Sequence, residues 1–293
     1  MNPWFFIALI GPFMYALTNH IDKILLEKYF KEGGVGTLLL FSSLVSVLAL
    51  PFLYVIEPDV MNVSITSVVV LAFVGILNVL VLWFYLLALR QEEASVAIVF
   101  YQLVPVFGYL FGFLILGETL TPQHLLAMAI VILGTTIISF EIDMENRFSL
   151  RRDTILPMLA AAFLWAFESV VFKWVALEED LWRSLFWEHL MLTLVGIGIY
   201  AFIPTYRRHF TAALQHNSTR IIGLNILNES LYMIGNAAFA YAYLLAPIAL
   251  VLTAESYQPM FVLTIGVLLT IFFPHIAVEK IQAKHLWQKI IAI

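Results

Sequence analysis

Apolar runs of 18 or more residues recur along the chain from Trp4 to near its end, and no polar stretch of domain size separates them. A backbone crossing hydrocarbon must satisfy its own N–H and C=O groups, so runs of this length read as transmembrane helices. The expected fold class is therefore an all-α integral membrane protein. Composition agrees, with 62% of residues hydrophobic and 12% charged and a mean hydropathy of +0.95, far from the balance of a soluble domain.

A hydrocarbon core about 30 Å thick needs about 20 helical residues. Polar punctuation accordingly divides the chain into ten segments, near 4–29, 35–56, 64–89, 94–116, 122–140, 154–176, 182–204, 219–245, 247–273 and 283 onward. The first lacks a basic region and a small-residue cleavage pattern, so a retained span is expected rather than a signal peptide. The tenth has eleven residues before Ile293, too short to span, and a truncated last helix is expected there. A net charge of −5 with no basic run excludes a nucleic-acid surface as a partner. The absence of cysteine excludes disulfides, thiolate metal sites and Cys nucleophiles.

The most polar connection, "EIDMENRFSLRRD" at 141–153, has five spans on either side. "FMYALTNHIDK" (Phe13 to Lys23) matches "FLWAFESVVFK" (Phe163 to Lys173), with Phe, an aromatic, Ala and Lys in register. "YLLAL" at Tyr85 matches "YLLAP" at Tyr243, Pro105 aligns with Pro259, and "ETLTPQHL" at Glu118 aligns with "EKIQAKHL" at Glu279. The expected organisation is a first repeat over 1–140, a polar linker over 141–153 and a second repeat over 154–293. Because five is odd, the second copy enters the membrane in the opposite sense. Ten transmembrane helices in two inverted five-helix repeats are the architecture of many secondary transporters, whose sites lie near the midplane between the halves.

"GETLTPQHLLAMAIVILGTTI" (Gly117 to Ile137), preceded by "VPVFGYLFGFLIL", resembles the EamA-type members of the drug/metabolite transporter superfamily, with a proline-bearing helix, a Gly-Glu turn and a Gly-containing helix. The second copy departs from this pattern, since Val278 replaces the glycine before Glu279. The resemblance implies a ten-helix carrier of small metabolites.

Four glutamates lie within predicted spans: Glu168, Glu188, Glu229 and Glu255. A central charge costs about 2.5–3.5 kcal/mol on insertion scales, so such groups face a bundle interior or a wet cavity, where they bind substrate, ions or protons. On the eighth span Asn225, Glu229, Tyr232 and Asn236 form one polar face at i, i+4, i+7 and i+11. A proline inside a helix displaces the carbonyl four residues earlier. Pro259 is thus expected to free the carbonyl of Glu255, and Pro105 that of Tyr101, with the two kinks meeting near the midplane.

The expected cavity is asymmetric, with acceptors concentrated in the second half. Carboxylates suit a cation, and Tyr15, Trp83, Tyr101, Trp165, Tyr232 and Tyr257 are candidates for aromatic faces toward an ammonium group. Asn78 and Asn236 are candidate polar lining, or bridges between helices. Lys23 and Lys173 are expected to snorkel to the interface. Gly117 and Glu118 read as a boundary turn with no chemical role. Glu188 and His189 are adjacent, but no second ligand follows at metal spacing, and no phosphate-cradling glycine loop occurs, so neither a metal nor another cofactor is expected.

The expected function is secondary active transport, by alternating access and without ATP, of an organic cation: a polyamine, diamine, cationic amino acid or quaternary ammonium compound, with proton antiport at a buried carboxyl. The alternative within transport is export of neutral or aromatic amino acids, the glutamates then being structural. From other classes come an intramembrane lipid-modifying enzyme, for which no nucleophile–base or metal pattern occurs, and a non-transporting scaffold. Membrane lipid, protons and a small cation are the expected partners, for a monomer or dimer in a bacterial inner membrane. Lys and Arg concentrate in the connections after spans 1, 3, 5, 7 and 9. The positive-inside rule makes those cytoplasmic and both termini external, whereas the resemblance implies cytoplasmic termini.

Overall fold

The computed structural model describes residues 3–30, 34–91, 98–126, 129–130 and 152–272. All secondary structure among these is helical. The first span is α1 (Pro3–Ile24), continued by a π-helical turn over Leu25–Tyr29. The second is α2 (Gly34–Val45), a 3₁₀ turn and α3 (Ala49–Ile56), and the third is α4 (Ile65–Gln91). A 3₁₀ stretch over Ile98–Leu103 leads into α5 (Val104–Leu116). Then come α6 (Arg152–Glu178), α7 (Leu181–Phe202), α8 (Pro204–Leu245), α9 (Ile248–Thr253), a 3₁₀ stretch over Ala254–Tyr257 and α10 (Gln258–Phe272). Six helical segments are long and apolar enough to cross a membrane: Pro3–Tyr29, Gly34–Ile56, Ile65–Gln91, Thr154–Glu178, Leu181–Phe202 and Ile248–Phe272. The chain is an integral, multi-pass membrane protein. The predicted spans at 122–140, beyond its first residues, and from 283 onward lie outside the described residues, as does the polar linker up to 151.

One boundary differs from expectation. The polar stretch over 205–218, expected to connect a seventh span ending at 204 to an eighth starting at 219, is helical and continuous with the residues after it, making α8 42 residues long. Proline at its first position already has the helical φ and lacks an N–H that would be orphaned there. The residues that follow form helix readily despite their polarity, so outside hydrocarbon the helix simply continues.

Helices from the two sides of the polar linker interleave. α1 packs on α8 and α10, α4 on α6 and α7, α5 on α6 and α9, and α2 on α7. Under the sequence alignment these pairs exchange with one another: α1·α8 with α4·α6, and α1·α10 with α5·α6. Close approach is built into the α4–α7 seam at Gly75, where a Cβ would sit 2.9 Å from Met191 Cβ and 3.1 Å from the Leu192 backbone nitrogen. In a bilayer such small-residue contacts hold helices together by packing, because lipid supplies no hydrophobic drive between them.

Polar contacts tie the bundle at both ends. At one end the connection before α4 meets the connection between α6 and α7. Ser64 N–H donates to Glu179 Oε1 at 3.0 Å, Arg183 pairs with Glu57 at 3.2 Å, and Trp187 Nε1 donates to the Val60 carbonyl at 2.7 Å. Asp180 caps α7 by accepting the Trp182 N–H at 2.8 Å. At the other end Lys23 donates to the Leu89 carbonyl at 2.8 Å. So α1 ends where α4 ends, whereas α6 ends where α4 begins, and the aligned helices α1 and α6 run in opposite senses.

Candidate functional site

A cavity enclosing about 720 Å³ between atoms, counting its open mouth, lies among α1, α4, α6 and α8. Three carboxylates line it: Asp22, Glu168 and Glu229. No lysine, arginine or histidine lines it among the described residues.

α1 presents Tyr15, Thr18, Asn19 and Asp22 to the cavity, at i, i+3, i+4 and i+7, the spacing of one helical face. Asp22 accepts from Asn228 Nδ2 at 2.7 Å and from the Tyr85 hydroxyl at 3.3 Å. The same hydroxyl accepts from Asn19 Nδ2 at 2.7 Å, and Asn19 Oδ1 accepts from Gln258 Nε2 at 2.8 Å. A relay of side chains thus runs from α10 through α1 and α4 to Asp22, and on to α8. Glu229, beside Asn228, is within electrostatic reach of Asp22, and its Oε1 has no hydrogen-bond partner among the described residues.

The second acidic group is formed by Glu168 with Glu188 and Glu255, both within its electrostatic reach. Glu168 faces the cavity directly. Glu188 accepts from Asn236 Nδ2, 3.4 Å from each carboxyl oxygen. Glu255 is 1% exposed, and neither of its carboxyl oxygens has a partner among the described residues.

Aromatic rings separate the two groups. Tyr15 stacks on Tyr232 with centroids 5.6 Å apart, Trp165 meets Tyr15 edge-on at 5.7 Å and Tyr101 at 4.8 Å, and Tyr101 stacks on Tyr85 at 6.0 Å. Asn78 donates to the Tyr232 hydroxyl at 2.9 Å.

Of the residues singled out in the sequence, Glu168, Glu229, Tyr15, Asn78, Tyr101, Trp165 and Tyr232 therefore come together on the cavity wall. Glu188, Asn236 and Glu255 stand behind it. Tyr257 is 41% exposed and packs edge-on against Phe5, away from the cavity, because it lies two residues past Glu255 in a three-residue-per-turn coil. Trp83 packs on Phe84 and does not line the cavity.

Both proline expectations need correction. Pro105 and Pro259 are each the second residue of an α-helix that follows a 3₁₀ stretch, not residues kinking a helix from within. There the missing N–H costs nothing. The carbonyl of Glu255 is not left open, since the tighter 3₁₀ coil lets the Gln258 N–H donate to it. The two 3₁₀ stretches do pack against each other, as the alignment of Pro105 with Pro259 anticipates.

The sequence reasoning missed Asp22, Asn19, Tyr85, Asn228 and Gln258. Asp22 stands beside Lys23 near a span end and reads as an interface charge, but its i+7 relation to Tyr15 carries the same signal as the stripe on α8. With Asp22 on the wall, the cavity is acidic on both sides, not only in the second half. Lys173 and Glu118 were also misjudged. Lys173 is 5% exposed, and its Nζ donates to Glu118 Oε1 at 2.6 Å and to the Ala246 carbonyl at 2.8 Å. Glu118 Oε2 accepts the Ile248 N–H at 2.7 Å. Gly117, in the left-handed conformation at the end of α5 (φ 68°), turns Glu118 back to reach both. Snorkelling fails for Lys173 because a carboxylate and a carbonyl are supplied inside the bundle.

Aligned positions also make matching contacts. Asn19 with Tyr85 corresponds to Ser169 with Tyr243, whose hydroxyl donates to Ser169 Oγ at 3.3 Å. Lys23 at the Leu89 carbonyl has a near counterpart in Lys173 at the Ala246 carbonyl, one residue before Pro247, which aligns with Leu89.

Residues 2–140 match the model of the EamA-like transporter family. The match spans 139 of the chain's 293 residues, so it is the first part of the chain that is similar to this family. Its members are membrane transporters of the drug/metabolite type. The matched residues supply Asp22, Asn19, Asn78, Tyr85 and Tyr101 to the cavity, while Glu168 and Glu229 come from the remainder of the chain. A solved structure described as "Crystal structure of protein" is similar over 99% of this chain and 91% of its own, with a TM-score of 0.53 and 15% sequence identity. That likeness concerns the fold alone. No curated protein matches.

Proposed function

We propose that the chain is a secondary carrier that moves a small organic cation across the membrane by alternating access, in exchange for protons. One observation carries this: three carboxylates from α1, α6 and α8 line one cavity, and no cationic side chain among the described residues answers them. Intramembrane carboxylates are costly and face such cavities when they bind ions, protons or charged solutes. The aromatic rings beside them attract an ammonium group through their quadrupoles. Alternating access is supported by the exchanged helix packing, the opposite senses of α1 and α6 and the matching Asn19–Tyr85 and Ser169–Tyr243 contacts, all of which fit two inverted five-helix repeats. The repeats would occupy 1–140 and 154–293. Glu229 and Glu168 would hold the cation, and Glu255 and Glu188 would take up protons behind them.

The test is uptake of a labelled primary amine into proteoliposomes under an imposed pH gradient. Flux driven by the gradient, and lost in correctly inserted Glu229→Gln and Glu255→Gln variants, supports the cation role of the first and the proton role of the second. Full proton-coupled uptake by both variants would remove those roles. The aromatic lining also suits a neutral aromatic amino acid; flux of that solute, with amines inert, would make the carboxylates structural.

A further inference from the structure

The acidic groups on the cavity wall form two poles rather than one cluster. On α8, Glu229 and Asn236 are seven residues apart, about 10 Å along the axis; Glu229 lies beside Asp22, and Asn236 holds Glu188 of the other group. On α1 the same count separates Asp22 from Tyr15, which lies by Glu255 and Glu188. Two independent helices thus give the same spacing. Between the poles the wall is aromatic: Tyr15 stacked on Tyr232, with Trp165 edge-on.

Three acceptors on this wall lack donors. Asn228 Oδ1, Glu229 Oε1 and Gln258 Oε1 have no hydrogen-bond partner among the described residues, although all three side chains are at least nine-tenths buried and line the cavity. Buried acceptors without donors are costly, and an ammonium group brings three N–H donors and no acceptor.

We propose that the cavity is shaped for a linear diammonium compound, one ammonium lodged between Asp22 and Glu229 and the other at Glu168, with the methylene stem lying across Tyr15, Tyr232 and Trp165. This rests on the cation reading above and adds a charge number and a length to it. With poles about 10 Å apart and N⁺–H···O⁻ contacts of about 2.8 Å at each end, the two nitrogens stand about 5 Å apart, which a stem of about three to four carbons spans. Asn228 and Gln258 give specificity at the first pole through acceptors that a neutral end group leaves unpaired. Engagement of the second ammonium is intramolecular once the first has bound, so it adds affinity without a second association step.

The experiment is ligand-dependent thermal stabilisation of the purified full chain, measured with 1,2-diaminoethane, 1,3-diaminopropane, 1,4-diaminobutane, propylamine and butylamine. The expected result is a Kd for the three- and four-carbon diamines at least about tenfold below that of the monoamine of equal length, with 1,2-diaminoethane no better than a monoamine. Asp22→Asn and Glu168→Gln should each bring the diamines to the monoamine level while monoamine binding persists at the remaining pole. The chain-length series in the unaltered protein decides the matter even where a variant fails to fold. Equal affinity for diamines and monoamines, or a preference for 1,2-diaminoethane, overturns the two-pole inference and leaves the cation reading standing. No stabilisation by any amine overturns both.

Discussion

Replacing Lys173 with methionine tests whether the buried ion pair with Glu118 holds the bundle together. The substitution keeps the length of the side chain and removes the donor to both Glu118 Oε1 and the Ala246 carbonyl. Each orphaned buried acceptor costs about 1–3 kcal/mol, and removing one partner of a buried pair costs about 3–5 kcal/mol. The Glu118 side chain is 18% exposed and retains the Ile248 N–H, so water and that bond recover part of the loss. The expected destabilisation is about 3 kcal/mol. It is read as the shift in equilibrium unfolding of the detergent-solubilised protein by SDS, followed by tryptophan fluorescence. In the double variant with Glu118→Gln the second substitution should cost less than it does alone, because no unpaired carboxylate remains. A Lys173→Met protein within about 0.5 kcal/mol of the unaltered chain would mean that the ammonium finds solvent instead, and the argument for a buried tie would fail.

Three further outcomes are expected. Gly75→Ala should destabilise the α4–α7 seam by about 1–3 kcal/mol through overpacking, whereas Gly198→Ala, with open space around its Cβ position, should not; equal unfolding midpoints would refute the close approach. Tyr85→Phe should cost more than Tyr243→Phe, since it deprives a carboxylate and an amide while Tyr243 bonds only a hydroxyl; the expected values are about 2 and about 1 kcal/mol. At the surface, hydrogen bonds from Ser67 and from the Ser64 N–H hold the Glu179 carboxyl below its ordinary pKa. The stability it contributes is therefore present above the ordinary carboxyl value and lost as pH falls through the lowered one. A thermal melt series into acid should show this slope flattened in Glu179→Gln.

Much of the fold was legible because hydrocarbon leaves few alternatives: an apolar run of sufficient length must be a helix, and its ends fall where polar residues begin. The same logic misplaced the start of α8, since beyond the hydrocarbon a polar run is free to stay helical and hydropathy no longer marks the boundary. Glu168 and Glu229 were visible because each stands alone in an apolar span. Asp22 was passed over, standing one residue from Lys23 near the end of its span, and only the fold shows that Tyr85 and Asn228 arrive to bond it. The proline-linked 3₁₀ stretches escaped for a related reason. A Pro inside an apolar run signals an interruption, but whether the coil bends around it or tightens just before it is decided by packing, in this chain that of one 3₁₀ stretch on the other. Lys173 shows the limit most plainly, as the carboxylate that keeps it inside lies 55 residues away in the chain.

At 42 residues, α8 extends about 63 Å, roughly twice the thickness of a hydrocarbon core. Its inner portion carries Asn228, Glu229 and Tyr232 on the cavity wall, and its outer portion, from Pro204, rests Phe210 on Phe41. The arm from Glu229 to Pro204 is about 38 Å long, so a tilt of about 5° at the cavity sweeps the far tip through about 3 Å. A spin label or fluorophore near Thr205 would therefore read out the alternating access proposed above as a displacement of this tip.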